Sequence, residues 1–130
     1  MEEGGGIRVL IVEDNEVYRE ALELMLGVTP AIRIVGSVGD GRAAVEVCAQ
    51  TKPDVVLMDY RLPGLDGIEA TAAIRACRNT AVVALTAAAE PGELDALRAA
   101  GAVTCLTKDS DVTEIVDAIR DAAAPGAPLG

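Results

Sequence analysis

Short runs of β-type residues alternate five times with longer helical stretches along this chain of 130 residues. The run Val55–Met58 is apolar at every position, which is typical of a strand covered on both faces. Because parallel neighbours need long crossover connections, the alternation predicts a single α/β domain in which a five-stranded parallel sheet has helices on both faces. The predicted strands are Ile7–Val12, Ile32–Ser37, Val55–Met58, Ala81–Leu85 and Val103–Leu106.

Apolar residues at helical spacing predict amphipathic helices between and after these strands. The first helix runs to about Leu26. Its predicted apolar face consists of Val17, Ala21, Leu24 and Met25. The last helix carries Val112, Ile115, Ile119 and Ala122 on one face. A second helix is predicted over Gly41–Gln50, and a third ends at about Cys77. A fourth begins near Pro91 and ends near Gly101.

The composition excludes several kinds of function. The formal net charge of −10 repels nucleic acid phosphates and anionic membranes, so this chain is not expected to contact either directly. No apolar run approaches the roughly 18 residues of a membrane span, and we expect a cytoplasmic protein. The sequence has no histidine, so any phosphohistidine must belong to a partner.

Polar residues stand where the predicted strands end, which parallel strands bring to one edge of the sheet. Carboxylates crowded at that edge repel one another and outnumber the single ammonium. The site should therefore bind a hard divalent cation, most plausibly Mg²⁺, and phosphoryl chemistry at an aspartate is indicated. The residues concerned are Glu13, Asp14, Asp59, Thr86 and Lys108.

Four segments together resemble the receiver domain of bacterial response regulators over almost the whole folded chain. The segments are Val12-Glu13-Asp14, Leu57–Gly67, Leu85-Thr86 and Leu106–Asp109. The resemblance implies a flavodoxin-like strand order 2-1-3-4-5. It also implies that Asp59 accepts a phosphoryl group from the phosphohistidine of a sensor histidine kinase, that the domain is not an enzyme, and that Thr86 reports phosphorylation by moving.

The resemblance further assigns the metal ligands and the helping charge. Asp14 and Asp59 would coordinate Mg²⁺ directly, Glu13 largely through water, and Arg61 through its backbone carbonyl. Lys108 would steady the transferring phosphoryl group. One departure is Cys105, which stands where receivers usually carry an aromatic residue that moves together with the threonine.

Structural roles are the alternative for each of these residues. Glu13 and Asp14 could cap the first helix, and for Asp14 and Asn15 a capping role is compatible with a place in the site. Thr86 could cap the next turn, and Lys108 could be a surface lysine beside Asp109.

Two other functions compete with the receiver interpretation. The segment from Gly36 to Ala43 nearly matches a nucleotide-binding phosphate loop, but Arg42 and Ala43 replace its lysine and hydroxyl residue. An Asp-x-Asp phosphatase is disfavoured because Arg61 stands where its second acid belongs. A docking module of the same fold that is never phosphorylated is favoured mildly by Cys105 alone.

The ends of the chain differ in composition from its centre. We expect residues 1–6 to be a disordered extension, 7–123 to be the receiver domain and 124–130 to be a linker or disordered tail. By analogy with receivers joined to a helix-turn-helix output, phosphorylation is expected to alter contact with a DNA-binding output domain or the formation of a homodimer.

Overall fold

A computed structural model describes residues 6–60, 66–77, 80–87 and 91–123 of the chain, and the side chains of all of these except Cys77 and Pro91. The strands are β1 (Ile7–Val12), β2 (Ile32–Val38), β3 (Val55–Asp59), β4 (Ala81–Thr86) and β5 (Thr104–Thr107). The helices are α1 (Glu16–Gly27), α2 (Gly41–Thr51), α3 (Gly67–Cys77), α4 (Pro91–Ala100) and α5 (Val112–Ala123).

The five strands form one parallel sheet in the order β2-β1-β3-β4-β5. This confirms the predicted fold and strand order. The strand bounds differ from prediction by only one residue at an end, so that Asp59 and Thr86 close their strands rather than follow them. The predicted terminal extension and linker lie, apart from Gly6, outside the described residues.

Side chains of each strand alternate between two hydrophobic clusters, one on each face of the sheet. Along β3, Val55 and Leu57 belong to the cluster covered by α1 and α5. Val56 and Met58 belong to the cluster covered by α2, α3 and α4. We call these the α1/α5 face and the α2–α4 face. The strand is buried throughout, as its continuous apolar run predicted.

The buried face of α1 differs from the predicted one. Val17 and Leu24 are 78% and 72% exposed, so the prediction that they lie on the packed face was wrong. The residues that face the sheet are Leu22 and Leu26, with Tyr18 packed beside them one turn earlier. Tyr18, Leu22 and Leu26 repeat every four residues, and this stripe competes in the sequence with the equally regular one that includes Val17.

The apolar face of α5 agrees with prediction. Ile115, Ile119 and Ala122 are buried in the cluster on the α1/α5 face, and Val112 packs against it. This helix is strongly amphipathic, with acidic residues on its outer side, so its sequence leaves little choice of face.

Candidate functional site

Strand parity decides which polar residues meet at the carboxyl edge of the sheet. Glu13 follows Val9 and Ile11 at every second position, and Asp59 likewise follows Val55 and Leu57. Both carboxylates therefore belong to the α1/α5 face. Lys108 comes two residues after Leu106 of β5, which packs on the same face.

Glu13, Asp59 and Lys108 form a buried ionic group at this edge. The Lys108 ammonium nitrogen lies 2.9 Å from each carboxylate oxygen of Glu13 and 3.3 Å from Oδ2 of Asp59. Glu13 is 1% exposed and Asp59 is 4% exposed. The structure thus brings the two predicted acids within ion-pair distance of Lys108, whose side chain is 23% exposed.

The surroundings of Glu13 change the pKa of its carboxyl. Burial raises the pKa of its carboxyl, and the nearby Asp59 carboxylate adds to the rise, while Lys108 and the backbone N–H of Asn15 oppose it. The Asn15 N–H and the lysine ammonium both donate to Oε2. Oε1 has the ammonium 2.9 Å away but receives no hydrogen bond from the part of the chain that the structure describes.

The start of α1 is tied to Glu13 through the Asn15 N–H, which reaches its carboxylate, and through Arg19, which reaches its backbone. Asn15 caps the helix, its side-chain oxygen accepting the Tyr18 N–H at 2.9 Å. The Arg19 guanidinium donates to the backbone carbonyl of Glu13 at 2.8 Å. Asp14 is exposed, and the cap is Asn15 rather than either acid.

Thr86 lies on the other face of the sheet. It follows Val82 and Ala84, which pack on the α2–α4 face, and it is 2% exposed. Its hydroxyl donates to a carboxylate oxygen of Glu93 on the first turn of α4, at 3.1 Å. The backbone N–H of Lys108 donates to the Thr86 carbonyl at 2.8 Å. This hydrogen bond connects two residues whose side chains belong to opposite faces of the sheet.

The amino-acid sequence matches the family model of the response regulator receiver domain over residues 9–120. The chain belongs to this family. The receiver is 39% identical to the transcriptional regulatory protein LiaR of Bacillus subtilis over 94% of this chain and 58% of that protein. It is 38% identical to the probable transcriptional regulatory protein NarL of Mycobacterium tuberculosis, over 90% of this chain and 55% of that protein. It therefore spans little more than half of these relatives.

Solved receiver structures agree with the fold. The signal receiver domain of Mycobacterium tuberculosis NarL superimposes with a TM-score of 0.88 at 38% identity, covering 91% of this chain and 96% of that one. The receiver domain of a Pseudomonas aeruginosa sensor histidine kinase has a TM-score of 0.80 at 36% identity, covering 88% and 95%. That structure has a magnesium ion coordinated in its active site cleft. A further relative, a protein-glutamate methylesterase of a Nocardioides species, is 39% identical over 92% of this chain and 34% of that protein.

The receiver's acidic edge fits a hard cation. Among the described residues, two buried carboxylates share the Lys108 ammonium, which leaves a net charge of about −1 before the exposed Asp14 is counted, and Glu13 Oε1 accepts no hydrogen bond. Within the described ranges no three acidic, histidine or cysteine side chains form a ready metal cluster. Arg61, the predicted source of a backbone ligand, lies outside those ranges.

Cys105 of the receiver is half-buried and packs against the cluster on the α2–α4 face. Burial raises the pKa of its thiol, and Arg98 partly offsets that rise. The thiol therefore stays protonated and packs as a small apolar side chain.

Sequence reasoning missed two residues at this site, Tyr18 and Glu93. Helical spacing could have found Tyr18, which lies one turn before Leu22 on the packed face of α1. Strand parity could have placed Thr86 towards α4, but nothing in the sequence singles out Glu93 among the acids of that helix.

Within the part of the chain that the structure describes, no helix is long and apolar enough to cross a membrane.

Proposed function

We propose that Asp59 is the phosphoacceptor of this receiver and that a sensor histidine kinase is its donor. The observation that carries the proposal is the Lys108 ammonium, 3.3 Å from Oδ2 of a carboxylate that is 4% exposed. A carboxylate approaching an anionic phosphoryl group needs nearby positive charge, and a partly dehydrated site makes that charge more effective.

In the proposed step an Asp59 carboxylate oxygen forms a bond to phosphorus while the bond from phosphorus to the partner's imidazole nitrogen breaks. The imidazole leaves with that electron pair, and Asp59 becomes an aspartyl phosphate. The Lys108 ammonium already contacts both carboxylates. A small movement of its side chain would therefore bring it to the added phosphoryl oxygens.

Glu13, Asp14, Asp59 and the backbone carbonyl of Arg61 would hold Mg²⁺. When bound, the ion supplies positive charge that lowers the repulsion between the carboxylate and the phosphoryl group. Glu13 is suited to such a partner because burial disfavours its negative charge, and a bound cation would offset that cost.

Thr86 is the proposed reporter of phosphorylation. Its hydroxyl is buried and donates to Glu93 of α4, so any turn of that hydroxyl towards Asp59 releases a contact on the opposite face. The signal would pass to α4, β5 and the surface around them. The expected consequences are a changed contact with an attached DNA-binding output domain or the pairing of two copies.

The wider assignments follow from the same proposal. Residues 7–123 form the receiver unit, which acts in the cytoplasm and is not itself an enzyme. The methylesterase relative matches this chain over only about a third of its length, so its named activity need not reside in the matched part.

Intact mass after incubation with Mg²⁺ and acetyl phosphate tests the proposal. We expect a gain of one phosphoryl group that Asp59→Asn abolishes. Asp121→Asn, which removes an exposed carboxylate on α5, should keep the gain. No gain in the unaltered chain under any condition would instead favour the docking module that Cys105 mildly supports.

A further inference from the structure

Tyr18 places an aromatic ring beneath the ammonium of Lys108. The nitrogen lies 5.2 Å from the ring centroid, within the distance over which a cation is attracted to the face of an aromatic ring. The ring is half-buried and packs against the cluster on the α1/α5 face, one turn before the buried Leu22. The packing of α1 on the sheet therefore holds the Tyr18 ring in position.

Lys108 needs such a partner because its other two contacts are themselves reactants or ligands in the proposed function. Asp59 is the proposed acceptor, and Glu13 is a proposed metal ligand. A lysine side chain has several rotatable bonds and loses rotamer entropy when it is fixed in one position. A neutral ring that takes no part in the reaction can hold the ammonium while the carboxylates change their own partners.

The Tyr18 hydroxyl is consistent with a role for the ring rather than for the phenol oxygen. That oxygen is buried and has no hydrogen-bond partner in the described part of the chain. Burial raises the pKa of the phenol, and the charges of Glu13 and Asp59 raise it further. The phenol therefore stays neutral at physiological pH, and the ring keeps the negative face that attracts a cation.

We propose that Tyr18 is a positioning residue whose aromatic face holds the Lys108 ammonium at the phosphoacceptor site. This inference rests on the proposed function for its consequence in phosphorylation, but not for the contact itself. It makes the first turn of α1 part of the reaction site through a side chain that carries no charge.

The contact is tested by nuclear magnetic resonance in the absence of Mg²⁺. A lysine over an aromatic ring has its terminal methylene protons shifted upfield by the ring current. We expect this shift for Lys108 in the unaltered chain and in Tyr18→Phe, and its loss in Tyr18→Leu. Resonances of Lys108 at the position of an unstructured lysine in the unaltered chain would overturn the proposal, whether or not either variant folds.

The consequence is tested by the rate of phosphorylation with acetyl phosphate. Tyr18→Leu should be roughly three- to fivefold slower than the unaltered chain, the size expected for a partly exposed cation–π contact. Tyr18→Phe should react at the unaltered rate. Equal rates for all three chains would overturn the proposal, as would a Phe variant as slow as the Leu variant, because the hydroxyl would then be the active group.

The two proposals fail in different ways. If the unaltered chain gains no phosphate, the proposed function fails, and the ring-current shift alone then decides the contact. If the chain is phosphorylated at Asp59 but the lysine shift is absent, only the role of Tyr18 is refuted.

Discussion

The Thr86 hydroxyl donates a hydrogen bond to the Glu93 carboxylate at 3.1 Å, joining the end of β4 to the first turn of α4. Thr86 is 2% exposed, so this contact forms where water competes little on the threonine side. If Thr86 reports phosphorylation by turning towards Asp59, the hydroxyl must first leave Glu93.

Replacing Glu93 should therefore favour the phosphorylated form. A hydrogen bond to a charged group contributes about 1.5–3 kcal/mol, less where one partner is half-exposed as Glu93 is. We expect Glu93→Ala to raise the phosphorylated fraction at limiting acetyl phosphate about two- to fivefold, and Glu93→Gln to raise it less. Asp95→Ala, an exposed acid on the same helix, controls for the lost negative charge. An equal increase in that control would show that Thr86 is not involved.

The raised pKa of Glu13 predicts how stability depends on pH without Mg²⁺. Because burial raises this pKa above its ordinary value of 4.5, the folded chain binds the Glu13 proton more tightly than the unfolded chain does. Glu13 therefore costs stability above its folded pKa. That cost is relieved as the pH falls through the folded pKa towards 4.5.

The difference between two chains isolates this contribution. The free energy of unfolding of the unaltered chain, minus that of Glu13→Gln, should become more favourable as the pH is lowered from neutral towards 4.5. Urea unfolding at several pH values measures it. Glu20→Gln, which removes an exposed carboxylate from α1, is the matched control for the loss of an acid. A Glu13 difference that is flat or opposite in sign would contradict the assigned cause.

Two leucines of α1 test which face of that helix packs on the sheet. Leu22 is 1% exposed and Leu24 is 72% exposed. Leu22→Ala should lower the free energy of unfolding by about 2–5 kcal/mol, because it leaves a cavity in a packed cluster. Leu24→Ala should change it by no more than about 0.5 kcal/mol. Denaturant unfolding measures both variants, which remove the same atoms. A larger loss of stability in Leu24→Ala than in Leu22→Ala would mean that the face predicted from the sequence is the packed one.

Gly67 and Gly92 form a second matched pair. A β-carbon at Gly67 would overlap the Asp59 carbonyl oxygen, a backbone atom that cannot move alone, whereas at Gly92 it would meet open space. Gly67→Ala should cost about 1–3 kcal/mol and shift the backbone next to Asp59. Gly92→Ala should stabilise α4 by about 0.5 kcal/mol. Thermal unfolding of both compares them, and a neutral Gly67 variant would mean that this close approach is relaxed in solution.

The sheet was predictable because its strands carry one unambiguous signal. Short, β-branched apolar runs such as Val55–Met58 favour a doubly covered strand, and the polar residue at the end of each run marks where the strand stops. The order of the strands came from the family resemblance and not from the pattern. Strand alternation alone specifies parallel pairing without specifying which strands are neighbours.

The helix face and the partners of the site were harder to predict for a physical reason. In α1, Val17 and Leu24 form as regular a stripe as Leu22 and Leu26, and only docking on the sheet decides between them. The partnerships of Lys108 with Tyr18 and of Thr86 with Glu93 join residues from different elements. They depend on where side chains end in space, which periodicity along one element does not report.

The Glu13 and Lys108 side chains that meet at 2.9 Å are separated by 95 positions along the chain. Closing so long a loop is entropically costly, and contacts of that span form after local ones. The ionic group is therefore assembled only when the fifth strand has docked. A newly synthesised chain cannot form this ionic group until the segment that carries Lys108 has emerged from the ribosome.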